Sequence, residues 1–304
     1  MATRKTAQPA RTPRHRRPAL ILLVLAAAAL SGCAGKSGGN GLGRASGAID
    51  PQAHTPDFAR RPNVPLSRPE VVAITLREWR MFGQPVDDDP PDTRPVPLPS
   101  DKPERQPGLW QRVGEYWWTG MDAGAREGSW TGKHDDFGVE FPATSDANYP
   151  WSAAFISYVM RIAGAGTKFP YSAAHSTYIN AAYDVAMGRS NDYALSAERA
   201  DAYAPLPGDI ICTSRGRRRV RYEDLPTSFP AHCQIVVEAN SGQLSTIGGN
   251  VDDAVTMIHV PTTPDGKLAY SDGTVVDTRY PWFTVLRVLY TNNFVAQNLT
   301  LAPG

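Results

Sequence analysis

The chain reads as an α+β fold, on two observations. In four stretches between residue 68 and about residue 190, the sequence reads as helix, with apolar residues at the spacing of one helix face. After about residue 205 the pattern becomes short apolar or alternating runs broken by Gly, Pro and Asp, as in antiparallel strands. Helices first and strands second is the order of an α+β domain, not of an alternating parallel one. About 240 residues from Ser67 onward are ample for one core with a helical N-terminal extension, and no internal repeat is visible.

The first elements are targeting and tether. Residues 1 to 17 hold six Lys/Arg and no acid, Ala19 to Leu30 is apolar, and Leu30-Ser31-Gly32-Cys33 follows. This is the order of a bacterial lipoprotein signal peptide over residues 1–32, with Cys33 the residue acylated after cleavage. The alternative, an uncleaved anchor, is disfavoured because a spanning helix needs about 20 apolar residues. Ala34 after the cysteine resembles the outer-membrane sorting signal of enterobacterial lipoproteins, so a periplasm-facing outer-membrane protein is expected, attached to the membrane through Cys33. Six of the 31 basic residues and none of the 30 acidic ones precede Cys33, so the mature chain would carry −5. That balance argues against nucleic acid as a partner. Residues 33–66, rich in Gly, Ser, Pro and Arg, read as a flexible tether.

Residues 67–144 read as a helical lead-in. "RPEVVAITLREWRMFG" places Val72, Leu76 and Trp79 on one helical face. Eight prolines from Pro85 to Pro107 favour an extended linker. "GLWQRVGEYWWTGM" is a second helix ending near Gly120, whose aromatics suit a core better than a sugar-stacking surface. "GKHDDFG" reads as a polar loop rather than a metal site, since His134, Asp135 and Asp136 do not converge easily, and no CxxC or HExxH spacing occurs. No metal or cofactor is expected.

From residue 145 onward the chain reads as the main domain. Phe155, Ile156, Val159, Met160 and Ala163 give a third helix over 152–163, closed by Gly164. A shorter helix covers "SAAHSTYINAAYDVAMG", and "PGDIICTSR", "HCQIVVEA", "QLSTIGGN", "AVTMIHV" and "FTVLRVLY" read as strands. The basic run Arg215 to Arg221 reads as a solvated hairpin loop, with a docking site for anionic groups as the alternative. Cys212 and Cys233 are free to oxidise to one disulfide in the periplasm. Cys233 adjoins His232, so strand alternation sends their side chains to opposite faces.

Four pieces stand in a telling order: a helix entered through Pro150-Trp151-Ser152, a strand started by Pro207-Gly208-Asp209, His232 at the head of the next strand, and Gly248-Gly249-Asn250 ending another. The order resembles the NlpC-type and CHAP amidase superfamily of papain-like folds, in which a nucleophilic cysteine opens a helix packed on a small antiparallel sheet. The block "PWSAAFISYVMR" with "YSAAH", "PGDIIC" and "GGN" resembles more closely an uncharacterised bacterial lipoprotein family, domain-of-unknown-function family 2272, which also carries Ser at this position. The resemblance implies a papain-like core with Ser152 as nucleophile, His232 as base and Asn250 as the residue orienting the imidazole. It also implies His175 as a substrate contact or alternative base and a turn-fixing part for Asp209, while Tyr149 and Trp151 flank the site as candidate substrate contacts.

Each residue has a plainer reading. Ser152 is equally suited to satisfy an orphan N–H in a first helical turn, His232 to be a satisfied buried histidine, and Asn250 to occupy a left-handed turn. A hydroxyl cannot be held ionised by a helix N-terminus as a thiol can. Ser152 would therefore need a base during attack. The expected function is a cell-wall amidase or peptidase acting on peptidoglycan peptides. The alternative is a non-catalytic module that keeps the cleft and binds peptidoglycan or another partner.

Overall fold

A computed structural model of the chain describes residues 65–290, except 92, 96, 217 and 218. The expected signal peptide with Cys33, and all but the last two residues of the expected tether, lie outside the described residues. Helix α1 runs Arg68–Met81 and α2 Leu109–Gly120; α3 is Ser152–Ile162 and α4 His175–Ala186. Strands follow at Leu195–Arg199 (β1), Ile210–Ser214 (β2), Ala231–Asn240 (β3), Gln243–Val251 (β4), Ala254–Pro261 (β5) and Trp282–Val288 (β6). All six form one antiparallel sheet in the order β1-β6-β2-β3-β4-β5, giving an α+β architecture. Among the described residues no helix is long and apolar enough to cross a membrane.

Local chemistry explains the helix ends. Ser67 caps α1 by accepting from the Glu70 N–H, with Pro69 in the first turn. The Gln111 side chain accepts from the Gly108 N–H at the start of α2. Gly164, at φ 88°, closes α3 as its N–H bonds the Arg161 carbonyl and that of Ala165 bonds Met160.

The sheet is buried on both faces. On one, α1, α2 and α3 bury Val71, Ile74, Tyr116, Trp117 and Phe155 against Cys212, Cys233, Ile235 and Ile247. On the other, Ile211, Val236, Leu244, Ile258 and Val285 are covered by Leu268, Ala269 and Trp282. The lead-in helices thus share one core with the sheet.

Val72, Leu76 and Trp79 share one side of α1 and pack half-buried against the core, beside the fully buried Val71, Ile74, Thr75 and Glu78. The unexpected element is Glu78, fully buried by ion pairs to Arg112 and Arg77. The proline-rich stretch is a strap rather than an open linker. Val86 bridges Met257 of β5 in parallel, with Asp87 N–H to the Met257 carbonyl and Met257 N–H to the Pro85 carbonyl, both 3.0 Å. It covers the edge that β5 would otherwise expose. β1 precedes the point where strand character was expected to begin, and it adds an outer strand against β6.

Candidate functional site

Ser152 is the first residue of α3, and it is 5% exposed. Its Oγ lies 2.7 Å from Nε2 of His175, itself the first residue of α4. His175 Nδ1 is hydrogen-bonded to the Tyr178 hydroxyl, one turn along the same helix. Two helix starts therefore meet, and a buried Ser–His–Tyr chain runs through the junction. Burial holds the His175 imidazole well below its ordinary value, and the nearby His232 and Arg215 push the same way. Burial likewise keeps the Tyr178 phenol protonated.

His232 stands beside this chain rather than in it. Its ring centroid is 5.4 Å from that of His175. Among the described residues no hydrogen bond joins Ser152 to His232 or His232 to Asn250, so the expected order Ser152–His232–Asn250 is not the connected one. The reason lies in strand alternation. Cys233 points into the core under the helices, bonded to Cys212 as a disulfide, whereas His232 shares the opposite face with Gln234. There the Gln234 amide lies 3.4 Å from His232 Nε2, and Gln234 Oε1 accepts from Thr246 Oγ1 at 2.7 Å. His232 Nδ1 is buried and has no partner. Burial, then Arg215 and Arg94, push His232 down to about 3, so the ring is neutral.

The glycine pair explains how β4 fits between these groups. A Cβ on Gly248 would sit 3.0 Å from His232 Nε2 and 2.9 Å from Gln234, and one on Gly249 would sit 2.5 Å from Phe155. Asn250 follows at φ 56°, where pairing with β5 shifts register, a conformation Asn tolerates better than most residues. Asn250 and His232 both line a cleft of about 390 Å³ shared with Arg94, Arg215 and Arg279.

Trp151 is fully buried, so it is not free to touch a substrate. Its indole N–H donates to Glu104 Oε2 at 2.6 Å and its ring packs on Phe82 and Tyr116. Tyr149, half-buried, stacks on Phe141 at 4.5 Å and meets Trp130 edge-on. Asp209 is fully buried and ties the PGD turn together. It accepts from Arg68 and the Val288 N–H through Oδ1, and from the Tyr203 hydroxyl and the Leu206 N–H through Oδ2. In "GKHDDFG", Asp136 pairs with Arg126 and Trp130 while Asp135 accepts backbone N–H bonds from Phe137 and Val139. Among the described residues no group of three or more His, Cys, Asp or Glu is placed to hold a metal ion.

The family resemblance offers His175 only as a substrate contact or alternative base beside His232, and the signal in the sequence for its link to Tyr178 is their i, i+3 spacing on one helix. Glu104, which holds the tryptophan next to Ser152, carried no motif that would have marked it.

Neither a curated protein nor a solved structure matches this chain. One family model does, over residues 104–288, from the glutamate behind Trp151 to the last residue of β6. That is more than half of the 304 residues and takes in Ser152, His175, His232 and the GGN turn. The chain belongs to the family described as uncharacterised proteins conserved in bacteria, DUF2272.

Proposed function

We propose that the chain is a papain-like hydrolase of the bacterial envelope, anchored to the outer membrane by lipid on Cys33, that cleaves amide bonds in peptidoglycan peptides through Ser152. The observation that carries the reading is the 2.7 Å contact of Ser152 Oγ with His175 Nε2, with Tyr178 behind the imidazole. A nucleophile, a base in reach and a third group orienting the base is the arrangement that activates a hydroxyl.

In this reading Nδ1 of His175 carries the proton and donates to the Tyr178 oxygen, leaving Nε2 to accept. Ser152 Oγ attacks the amide carbon as its proton passes to Nε2; the imidazolium then gives that proton to the departing amine. Water, deprotonated by the same nitrogen, hydrolyses the acyl-serine to a carboxylic acid. The unpaired N–H groups at the start of α3 are the natural donors to the oxyanion. A neutral phenol supports the imidazolium less well than a carboxylate would, so slow turnover is expected. Envelope location and substrate class rest on the signal-like N-terminus and the family resemblance. The papain-like assignment is supported by a nucleophile-position helix packed on β3 and β4.

One observation favours a second reading. Ser152 and His175 are each only 5% exposed, so cleavage requires an opening over Ser152 when substrate binds. A binding module requires none. Incubation of the purified protein with muropeptides should release new amine termini. Ser152→Ala and His175→Gln should each lower that rate on the order of 10³-fold or more, with unchanged circular dichroism. Wild-type protein that binds muropeptides and never cleaves them would establish the binding module instead.

A further inference from the structure

The cleft beside His232 contains a donor that the proposed chemistry does not use. The Thr246 hydroxyl donates to Gln234 Oε1 at 2.7 Å, which turns the Gln234 NH₂ toward His232 Nε2 at 3.4 Å. An imidazole nitrogen that accepts from an amide is unprotonated, so the ring's single proton sits on Nδ1. That N–H is buried without a partner, in a residue 6% exposed that lines the cleft. A buried donor left without an acceptor is destabilising until something accepts from it.

The charges around the cleft say what the acceptor is. Arg94 is spent on Asp252 at 2.9 Å and Asp87 at 3.2 Å, and Arg279 on Asp277 at 2.9 Å. Arg215 also lines the cleft and has no ion pair among the described residues. One uncompensated guanidinium, and a histidine whose buried Nδ1–H has no acceptor, therefore line a volume of about 390 Å³, the size of a small ligand or peptide end.

We propose that this cleft receives a carboxylate borne on a peptide, with Arg215 supplying the charge and His232 Nδ1–H a directed hydrogen bond. The carboxylate site stands on the cleft's own geometry, and only its assignment to the hydrolase's substrate rests on the reading above. Since burial keeps His232 neutral, the histidine gives direction rather than charge. His232 is then a recognition residue, distinct from the base His175, which explains why it stands beside the Ser152 chain and outside it.

The test is calorimetric titration of the full-length protein with N-acetyl-alanine, N-acetyl-alaninamide and acetate, with the His232 ring nitrogens followed by NMR. The carboxylate peptide should bind at least tenfold more tightly than its amide and than acetate, and should shift the Nδ1 resonance. Arg215→Gln should remove the preference for carboxylate over amide. His232→Asn, whose side-chain amide can replace Nδ1–H, should keep more of it than His232→Leu. Equal affinity for carboxylate and amide, or an unchanged preference in Arg215→Gln, overturns the proposal. Acetate binding as tightly as N-acetyl-alanine overturns its peptide part. Ser152-dependent cleavage without carboxylate preference would leave the hydrolase standing and remove this site, whereas carboxylate preference without cleavage would do the reverse.

Discussion

Glu104 shows how one side chain can fix a neighbour's position at the site. Its Oε2 accepts from the Trp151 indole, its Oε1 has no hydrogen-bond partner, and Trp151 immediately precedes Ser152. Burial, then the negative Asp253, raises the carboxyl to about 8, with Asp146 adding to the push. Glu104 is therefore a neutral acid at pH 7, although Lys102 Nζ stands 3.8 Å from its Oε1 and pulls the other way. Below about pH 4.5 the group is protonated in both folded and unfolded chains and its contribution is fully present. As pH rises toward 8 the unfolded chain ionises freely while the folded one resists, so stability falls. Urea unfolding should lose up to a few kcal/mol between pH 5 and pH 9. In Glu104→Gln, which keeps an acceptor for Trp151, most of that slope should vanish. A wild-type slope that survives the substitution would place the titrating group elsewhere.

At the scale of elements, the helices are joined to one another by charge as well as by apolar contact. Arg112 of α2 reaches both oxygens of Glu78 on α1 at 2.6 Å, and the Tyr116 hydroxyl donates to the same carboxylate at 2.9 Å. Burial opposes ionisation of Glu78, but Arg112 and Arg77 outweigh it and hold the carboxyl below its ordinary range. Removing the carboxylate leaves the largely buried Arg112 with only the half-exposed Glu115 as an ion partner, so Glu78→Ala should cost up to about 3–5 kcal/mol in urea unfolding. A loss under about 1 kcal/mol would mean the pair is not closed in solution. This cluster was invisible in the sequence because amphipathic pattern marks apolar residues, and Glu78 is a charge on the buried face. By contrast α3, α4 and β2 to β5 were legible, since their periodicity and the Gly and Pro boundaries agree. β1, "LSAER", was not: it is five residues long and lacks β-branched and aromatic side chains. The site was half legible. Ser152 at a helix start and the GGN turn could be read from order, whereas the choice of His175 over His232 depends on which face each strand residue takes.

Over the whole molecule, the cleft is assembled from distant parts of the chain. Arg94 comes from the proline-rich strap, Arg215 and His232 from the two ends of the β2–β3 connection, Asn250 from β4 and Arg279 from the approach to β6. The strap is held by Arg94, which bonds Asp252 and the Tyr280 hydroxyl, and by Asp88, which bonds His259. The β2–β3 connection is held by the Cys212–Cys233 disulfide, joining residues directly paired across the two strands and closing the loop that carries the basic run. A structural disulfide suits the proposed periplasmic location. Closing a loop with a separation of 21 residues restricts the unfolded chain by about 3 kcal/mol. Reduction under native conditions, or the double variant Cys212→Ala/Cys233→Ala, should therefore lower unfolding free energy by about 2–4 kcal/mol. The strand pairing on either side is independent of the bond, so circular dichroism at 25 °C should change little. The cleft should change more, because Arg215 and His232 each adjoin the strand ends that the bond clamps. Fraying there should appear as faster hydrogen exchange in residues 213–233 than in β4 and β5. Equal exchange throughout the sheet after reduction would show that packing alone sets the loop, and that the bond adds stability without shaping the cleft.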